Sequence, residues 1–369
     1  MDIHALETRL RGALTTFLGY PCNTAYDYSE LSSFANVNIN NVGCPYSSST
    51  YKANTKDIEQ NVLQWFANLW NIHPDKVWGY ITNGSTESNL QGLYVAREVA
   101  KGSKYPSHVF FTSADSHYSL YKIAKILQLN LCVLRSHDNG EMDYEDLAYK
   151  LQHDYPNSFV IINANLGTTM KGAMDNTREI YRILKKLNRH QDGDYYLHLD
   201  GALSGFYLPF IEKDLFFKSH VHSISISGHK FCGIHFPCGI FMMERRFLPY
   251  VTTNVEYIGS VDATISGSRD GHAPIYFQYI IDEKGMDGFR EDVHRCLQLA
   301  EYLEETLPNA WRNQNSITVV FPRPSNALIE KWQLATQDDI SHVIVMPHVT
   351  KEKLDQFVQE YIQDHAHDL

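Results

Sequence analysis

No apolar run in the sequence approaches the ~20 consecutive residues that a membrane-crossing helix needs; the one around Val160 to Ile162 falls far short. No membrane span is expected. Basic residues are in deficit, 32 against 43 acidic, for a net charge of −11. With no local basic patch to offset this, a phosphodiester backbone would be repelled, and nucleic acid is not an expected partner. Cysteine is sparse, and the six residues Cys22, Cys44, Cys132, Cys232, Cys238 and Cys296 form no CxxC pair. That excludes a disulfide framework or zinc knuckle and predicts reduced, mostly buried thiols. The opening stretch MDIHALETRLRGAL is amphipathic and carries Asp and Glu, unlike the charged-then-apolar layout of a secretory signal. The cytoplasm is the expected compartment. Internal repeats and low-complexity linkers are also missing.

What is present is the material of a large core: 43% hydrophobic residues, with 23 Tyr and 18 Phe in 369 residues. The length fits one large domain with a smaller companion. Between residues 50 and 245, apolar β-type runs alternate with helix-period segments, which predicts an α/β fold with a mostly parallel sheet. Strands are expected at Val77–Ile81, His108–Thr112, Leu131–Leu134, Phe159–Asn163, Tyr196–Asp200, Ser223–Ser227 and Gly239–Met243. In YSLYKIAKILQL, Leu120, Ile123, Ala124 and Leu127 recur at helical spacing and form a stripe facing the sheet. Beyond about residue 290 the pattern becomes a small α+β unit, with strands in SITVVF and HVIVMP and a helix whose stripe is Leu354, Phe357, Val358 and Tyr361. The expected division is an irregular segment over 1–50, a large domain over 51–270 and a small C-terminal domain over 271–369.

Ligands of open α/β sheets sit at the carboxyl ends of strands, and several of these ends are chemically loaded. The first is followed by TNGSTESN, where Gly84, Ser85 and Thr86 open a helix and form a candidate phosphate cup; ordinary N-capping explains the same residues. After the second stands His117, a surface or capping histidine or an imidazole stacked on a planar ring. Asn165, Gly167, Thr168 and Thr169 form a polar turn after the fourth. Asp200 ends the fifth and is followed by Gly201 and Ala202. A carboxylate at that depth needs a cationic partner. A pyridinium nitrogen meets that need, and the small Ala202 leaves room for a flat ring between it and His117. The sixth strand, SISIS, runs into His229 and Lys230. An amine at the sheet rim, near a phosphate cup and a buried Asp, is suited to a Schiff base with an aldehyde. Together and in this order the elements fit pyridoxal 5′-phosphate, with its aldehyde on Lys230, ring nitrogen on Asp200, and phosphate on the Gly84 turn and His229.

At WGYITNGSTESN, SADSHYSLYKIAKIL, ANLGTTMKGAMD, YYLHLDGALSG, SISISGHKFCG, TISGSRDGHAP and AWRNQNSITVVFPRPS, the chain resembles the group II pyridoxal-phosphate-dependent amino acid decarboxylases. The likeness is strongest to the bacterial histidine decarboxylases and their plant serine decarboxylase relatives, and it spans nearly the whole chain. The resemblance implies the fold type I of pyridoxal-phosphate enzymes and decarboxylation of an L-amino acid, with L-histidine to histamine first and serine as an alternative. It implies Lys230, Asp200 and His117 as catalytic residues. Ser85, Thr86, Ser227 and His229 would lie at the phosphate, and Thr168 and Ala202 beside the ring. It also implies a homodimer or higher assembly with shared active sites, Thr264–Gly271 reaching a neighbour's cofactor. The stretch from Gly19 to Asp57 diverges from the family pattern. Tyr20, Tyr46 and Tyr51 in it are candidates for the substrate pocket, and Lys230, His117 and Tyr257 are candidate proton donors to Cα.

Two rivals stay open on residues alone. Aminotransfer or carbon–sulfur lyase chemistry with the same cofactor would use a late Arg on the substrate carboxylate, for which Arg269 and Arg323 are candidates. A metal hydrolase would draw on His220, His222, His229 and His235, although no HExxH or matching carboxylate accompanies them.

Overall fold

The computed structural model describes residues 1–212 and 220–366. Its centre is a seven-stranded sheet of β1 (Val77–Thr82), β2 (Ser107–Ser113), β3 (Leu131–Leu134), β4 (Ser158–Asn165), β5 (Tyr195–Asp200), β6 (Ser223–Ser227) and β7 (Gly239–Glu244). The spatial order is β1-β7-β6-β5-β4-β2-β3. The β7 strand is antiparallel to both neighbours, and the remaining pairs are parallel. All seven expected strands form, most of them a residue or two longer than their apolar runs. Strands β1, β4, β5 and β6 are buried along their whole lengths, as strands covered on both faces are; β4 reads as an apolar run for that reason, while β6 alternates Ser and Ile and is buried all the same.

Each face of the sheet carries its own core. On one face, α3 (Ser85–Lys101) and α4 (Ser119–Leu127) pack Leu93, Ala96, Leu120 and Ile123 against Phe110, Ile161 and Phe241. The stripe read in α4 is buried as expected. On the other face, α2 (Lys56–Leu69) and α8 (His272–Thr306, interrupted at Gly285) bring Val62, Phe66, Phe277 and Phe289 onto Ile162, Leu199 and Ile224. A smaller sheet of β10 (Thr318–Pro322), β12 (Ile340–Ile344) and β11 (Ala335–Gln337) is antiparallel throughout. The C-terminal helix α10 (Lys351–Ala366) covers it, burying Leu354, Phe357, Val358 and Tyr361.

The amino-terminal segment leans on both sheets. Leu18 donates its N–H to Trp332 O and accepts from Ile344 N–H, extending the small sheet. Five residues on, Asn23 N–H reaches Lys230 O. Residues 19–21 are thereby strung between the small sheet and the turn after β6. All six cysteines are free, and Cys44, Cys232, Cys238 and Cys296 are buried. No helix among the described residues is long and apolar enough to cross a membrane.

Candidate active site

A parallel sheet puts its carboxyl ends on one edge, and the loaded turns of the sequence meet there. Lys230, Asp200, His117 and Ala202 line one cavity of about 320 Å³. Gly84, Ser85, Thr86, Ser227 and His229 line it too, as do Thr168 and Tyr20.

The Gly84 turn is shaped for an anion. Gly84 has φ +131°, a conformation that L side chains rarely adopt, and a Cβ there would meet nothing within 4 Å. It caps α3 with no side-chain hydrogen bond to the helix end, so the first N–H groups of this 17-residue helix lack a protein cap. The Ser85 and Ser227 hydroxyls sit beside it, 2.7 Å apart. His229 Nδ1 donates to the carbonyl oxygen of Cys238 at 3.1 Å, which fixes the ring next to Lys230.

Asp200 is buried and held on both oxygens. Ala202 N–H donates to Oδ1 at 3.2 Å, and Asn89 Nδ2 donates to Oδ2 at 2.8 Å. Lys230 has no hydrogen bond or ion pair to its ammonium group among the described residues. Burial lowers the pKa of its amine from the ordinary lysine value, against the opposing pull of Asp200. An amine so desolvated is held toward its nucleophilic free base. His117 precedes α4, where its Nδ1 accepts from Ser119 N–H at 3.3 Å and pairs with Ser119 Oγ at 2.7 Å. Burial lowers its pKa, with Asp200 opposing and Lys230 reinforcing.

Several expectations need correction. Tyr46 and Tyr51 do not line this cavity within one chain. Cys44 N–H and Thr50 N–H bond to Val261 and Ile258 carbonyls, which carries the segment toward β8 (Thr253–Val255) and β9 (Ser260–Asp262). Tyr46 packs under Arg245, and Tyr51 Oη donates to Asn38 O at 3.3 Å. Tyr257 is 87% exposed and lies off the cavity. Arg269 is buried in an ion pair with Glu59, so it is not available as a carboxylate clamp, and Arg323 N–H and guanidinium bond to Asp339 and Asp338 carbonyls on the exposed side. The histidines of the metal reading are spoken for: His222 Nδ1 accepts Leu197 N–H at 2.9 Å, and His220 stacks on Tyr181 with ring centroids 3.5 Å apart.

Sequence reasoning also missed part of the wall. Thr318, Ala335, His342 and Ile344 of the small sheet line the cavity, as do Gly19 and Pro21. His342 ties them together: its two ring nitrogens lie 2.9 Å from Met170 O and 3.0 Å from Gly19 O. Nothing in local pattern marks such residues, since they join the site only when the small sheet folds back on the large one. Asn89 was within reach, because a polar side chain one turn after Ser85 on a buried helix face needs a partner on the sheet.

An amine free of partners, an anchored carboxylate and an uncapped helix start with two hydroxyls suit, respectively, the aldehyde, the basic ring nitrogen and the phosphate of pyridoxal 5′-phosphate. Fold and cavity thus define an α/β enzyme of the pyridoxal-phosphate-dependent class. A family profile described as the pyridoxal-dependent decarboxylase conserved domain matches residues 24–321, and the chain belongs to that family: it is an amino acid decarboxylase whose cofactor is pyridoxal 5′-phosphate. Serine decarboxylase 2 of Oryza sativa subsp. japonica is 43% identical over 350 residues, covering 93% of this chain and 73% of that one. Histidine decarboxylase of Mesorhizobium japonicum is 40% identical over 360 residues, 96% and 95% of the two chains. Among solved structures, L-methionine decarboxylase of Streptomyces sp. 590 superposes with a TM-score of 0.88 at 26% identity, over 98% of this chain and 94% of that one.

Proposed function

We propose that the chain decarboxylates L-histidine to histamine, with Lys230, Asp200 and His117 as its catalytic residues. The observation that carries the site assignment is the opening of Lys230 and Asp200 into one cavity beside the uncapped start of α3. Pyridoxal 5′-phosphate, when bound, supplies the electron sink that allows the bond from Cα to the carboxylate to break. Lys230 Nζ would hold the cofactor at its aldehyde, and the Asp200 carboxylate would keep a proton on its ring nitrogen. His117, Ala202 and Thr168, which line the same cavity, would hold the ring. Gly84, Ser85 and Thr86 would hold the phosphate together with Ser227 and His229. Lys230 Nζ and His117 are the two proton-donor candidates that line the cavity of their own chain.

The substrate reading rests on charge. Lys230 is the only Lys or Arg, and Asp200 the only carboxylate, among the described residues lining the cavity. With both assigned to the cofactor, no fixed charge remains to pair an acidic or strongly basic substrate side chain, which favours a neutral one. Serine is the second reading, supported by the 43% identity to the rice serine decarboxylase. Measuring amine release from histidine, serine, methionine, glutamate and tryptophan tests this. Histamine is the expected main product; ethanolamine as main product selects the second reading, and turnover confined to glutamate overturns both.

We further propose a cytoplasmic homodimer in which Thr264–Gly271 of one chain reaches the other's cofactor. Helix α1 (Ile3–Ala13) buries no side chain in a single chain, and Ile3, Leu10 and Leu14 are exposed, which supports pairing. Sedimentation at two concentrations tests it, a monomer overturning the proposal.

A further inference from the structure

Behind Asp200 runs a chain of buried hydrogen bonds that the proposed mechanism does not use. His198 and Asp200 stand two apart on β5 and point to the same sheet face. On α3 above them, Asn89 and Gly92 stand three apart and face down. Asn89 Oδ1 lies 2.9 Å from His198 Nε2 and accepts from Ser225 Oγ at 2.5 Å. His198 Nδ1 lies 2.7 Å from Ser223 Oγ. Asn89, His198, Ser223 and Ser225 are all essentially solvent-free.

With the imidazole neutral, the donors in this chain have one consistent assignment. Asn89 Nδ2 faces the carboxylate, so Oδ1 must face His198, and an amide oxygen only accepts. His198 therefore carries its proton on Nε2 and accepts the Ser223 hydroxyl at Nδ1. A helix residue with a side chain at position 92 would forbid the arrangement, since a Cβ on Gly92 would fall 2.5 Å from His198 Nδ1. A glycine inside a helix costs about 1 kcal/mol relative to alanine, and here it admits the imidazole.

We infer that Asn89 and His198 are positioning residues: the chain Ser223–His198–Asn89 locks the amide so that an N–H always meets Asp200 Oδ2, holding that carboxylate as an oriented anion toward the cofactor ring. The inference rests on Asp200 facing the ring nitrogen. Its tautomer is tested by neutron crystallography of the wild-type holoenzyme, where deuterium is expected on His198 Nε2 and not on Nδ1; the reverse tautomer or a doubly protonated ring overturns the inference. Its function is tested with holoenzyme carrying cofactor labelled with 15N in the ring. In His198→Phe the ring-nitrogen resonance is expected to move toward that of the unprotonated ring and kcat to fall about tenfold with KM unchanged, as for loss of one hydrogen bond worth about 1.4 kcal/mol. His198→Gln, which can still donate to Asn89, is expected to recover most of both. An unmoved resonance in His198→Phe, or no recovery in Gln, overturns the inference. Failure of the underlying reading shows separately, as an unmoved resonance in Asp200→Asn.

Discussion

The hydroxyls of Ser85, at the first turn of α3, and Ser227, at the last residue of β6, face each other at 2.7 Å although 142 positions separate them in sequence. Two elements that meet only through the fold thus present adjacent donors at the open helix end. Ser85→Ala and Ser227→Ala are each expected to weaken cofactor affinity by roughly tenfold or more, since a hydrogen bond to a charged group is worth about 1.5–3 kcal/mol. Fluorescence titration of apoenzyme with pyridoxal 5′-phosphate measures it; unchanged affinity in both variants would move the phosphate elsewhere.

Lys230→Ala removes the only amine side chain among the described residues lining the cavity. Turnover is expected to drop below detection, and borohydride treatment of the holoenzyme should no longer attach the cofactor to the chain, as read by intact mass. Covalent attachment at another lysine would contradict the assignment.

The buried pair of Glu59 and Arg269 joins α2 to the segment before α8, with both side chains shut off from solvent. Glu59 also accepts Ile81 N–H at 2.8 Å and Asn41 Nδ2 at 3.0 Å. Glu59→Ala leaves the guanidinium buried without its anion and is expected to cost about 3–5 kcal/mol. Urea unfolding checks this, and a loss under about 1 kcal/mol would mean that water or rearrangement replaces the carboxylate.

His222 is pushed down to about 3, first by burial and then by Arg246. Unfolded, it titrates near 6.5, so between these values the unfolded chain binds more protons and stability rises with pH. Its contribution is complete above pH 6.5 and is lost as pH falls toward 3, a few kcal/mol in all. His222→Asn, which can keep an acceptor near Leu197 N–H, is expected to flatten the urea midpoint between pH 6.5 and 4.5. Parallel curves for the two proteins would unlink this histidine from acid unfolding.

Much of the large domain was legible because its signals are local. Buried parallel strands read as apolar runs, as at Val160–Ile162, and α4 shows its stripe directly. The shared cavity of Lys230, Asp200 and His117 was legible for a related reason: parallel strands align their carboxyl ends, so the residues after successive strands become neighbours whatever the loop lengths. The placing of Tyr46 and Tyr51 away from the cavity of their own chain was not legible, because an irregular segment carries no period from which direction can be read, and its course was set by backbone bonds to Ile258 and Val261.

By itself, the order of residues determined the fold class, the free thiols and the meeting of Lys230 with Asp200, since each follows from periodicity, composition or strand-end placement. Only the tertiary structure decided what closes the cavity and what holds its carboxylate. The wall of Thr318, Ala335 and His342, and the path from Ser223 through His198 and Asn89 to Asp200, join residues far apart in the chain. Such contacts exist when packed elements bring donors within hydrogen-bond reach, and hydrogen bonds depend on distance and direction in space, which no spacing along the sequence encodes.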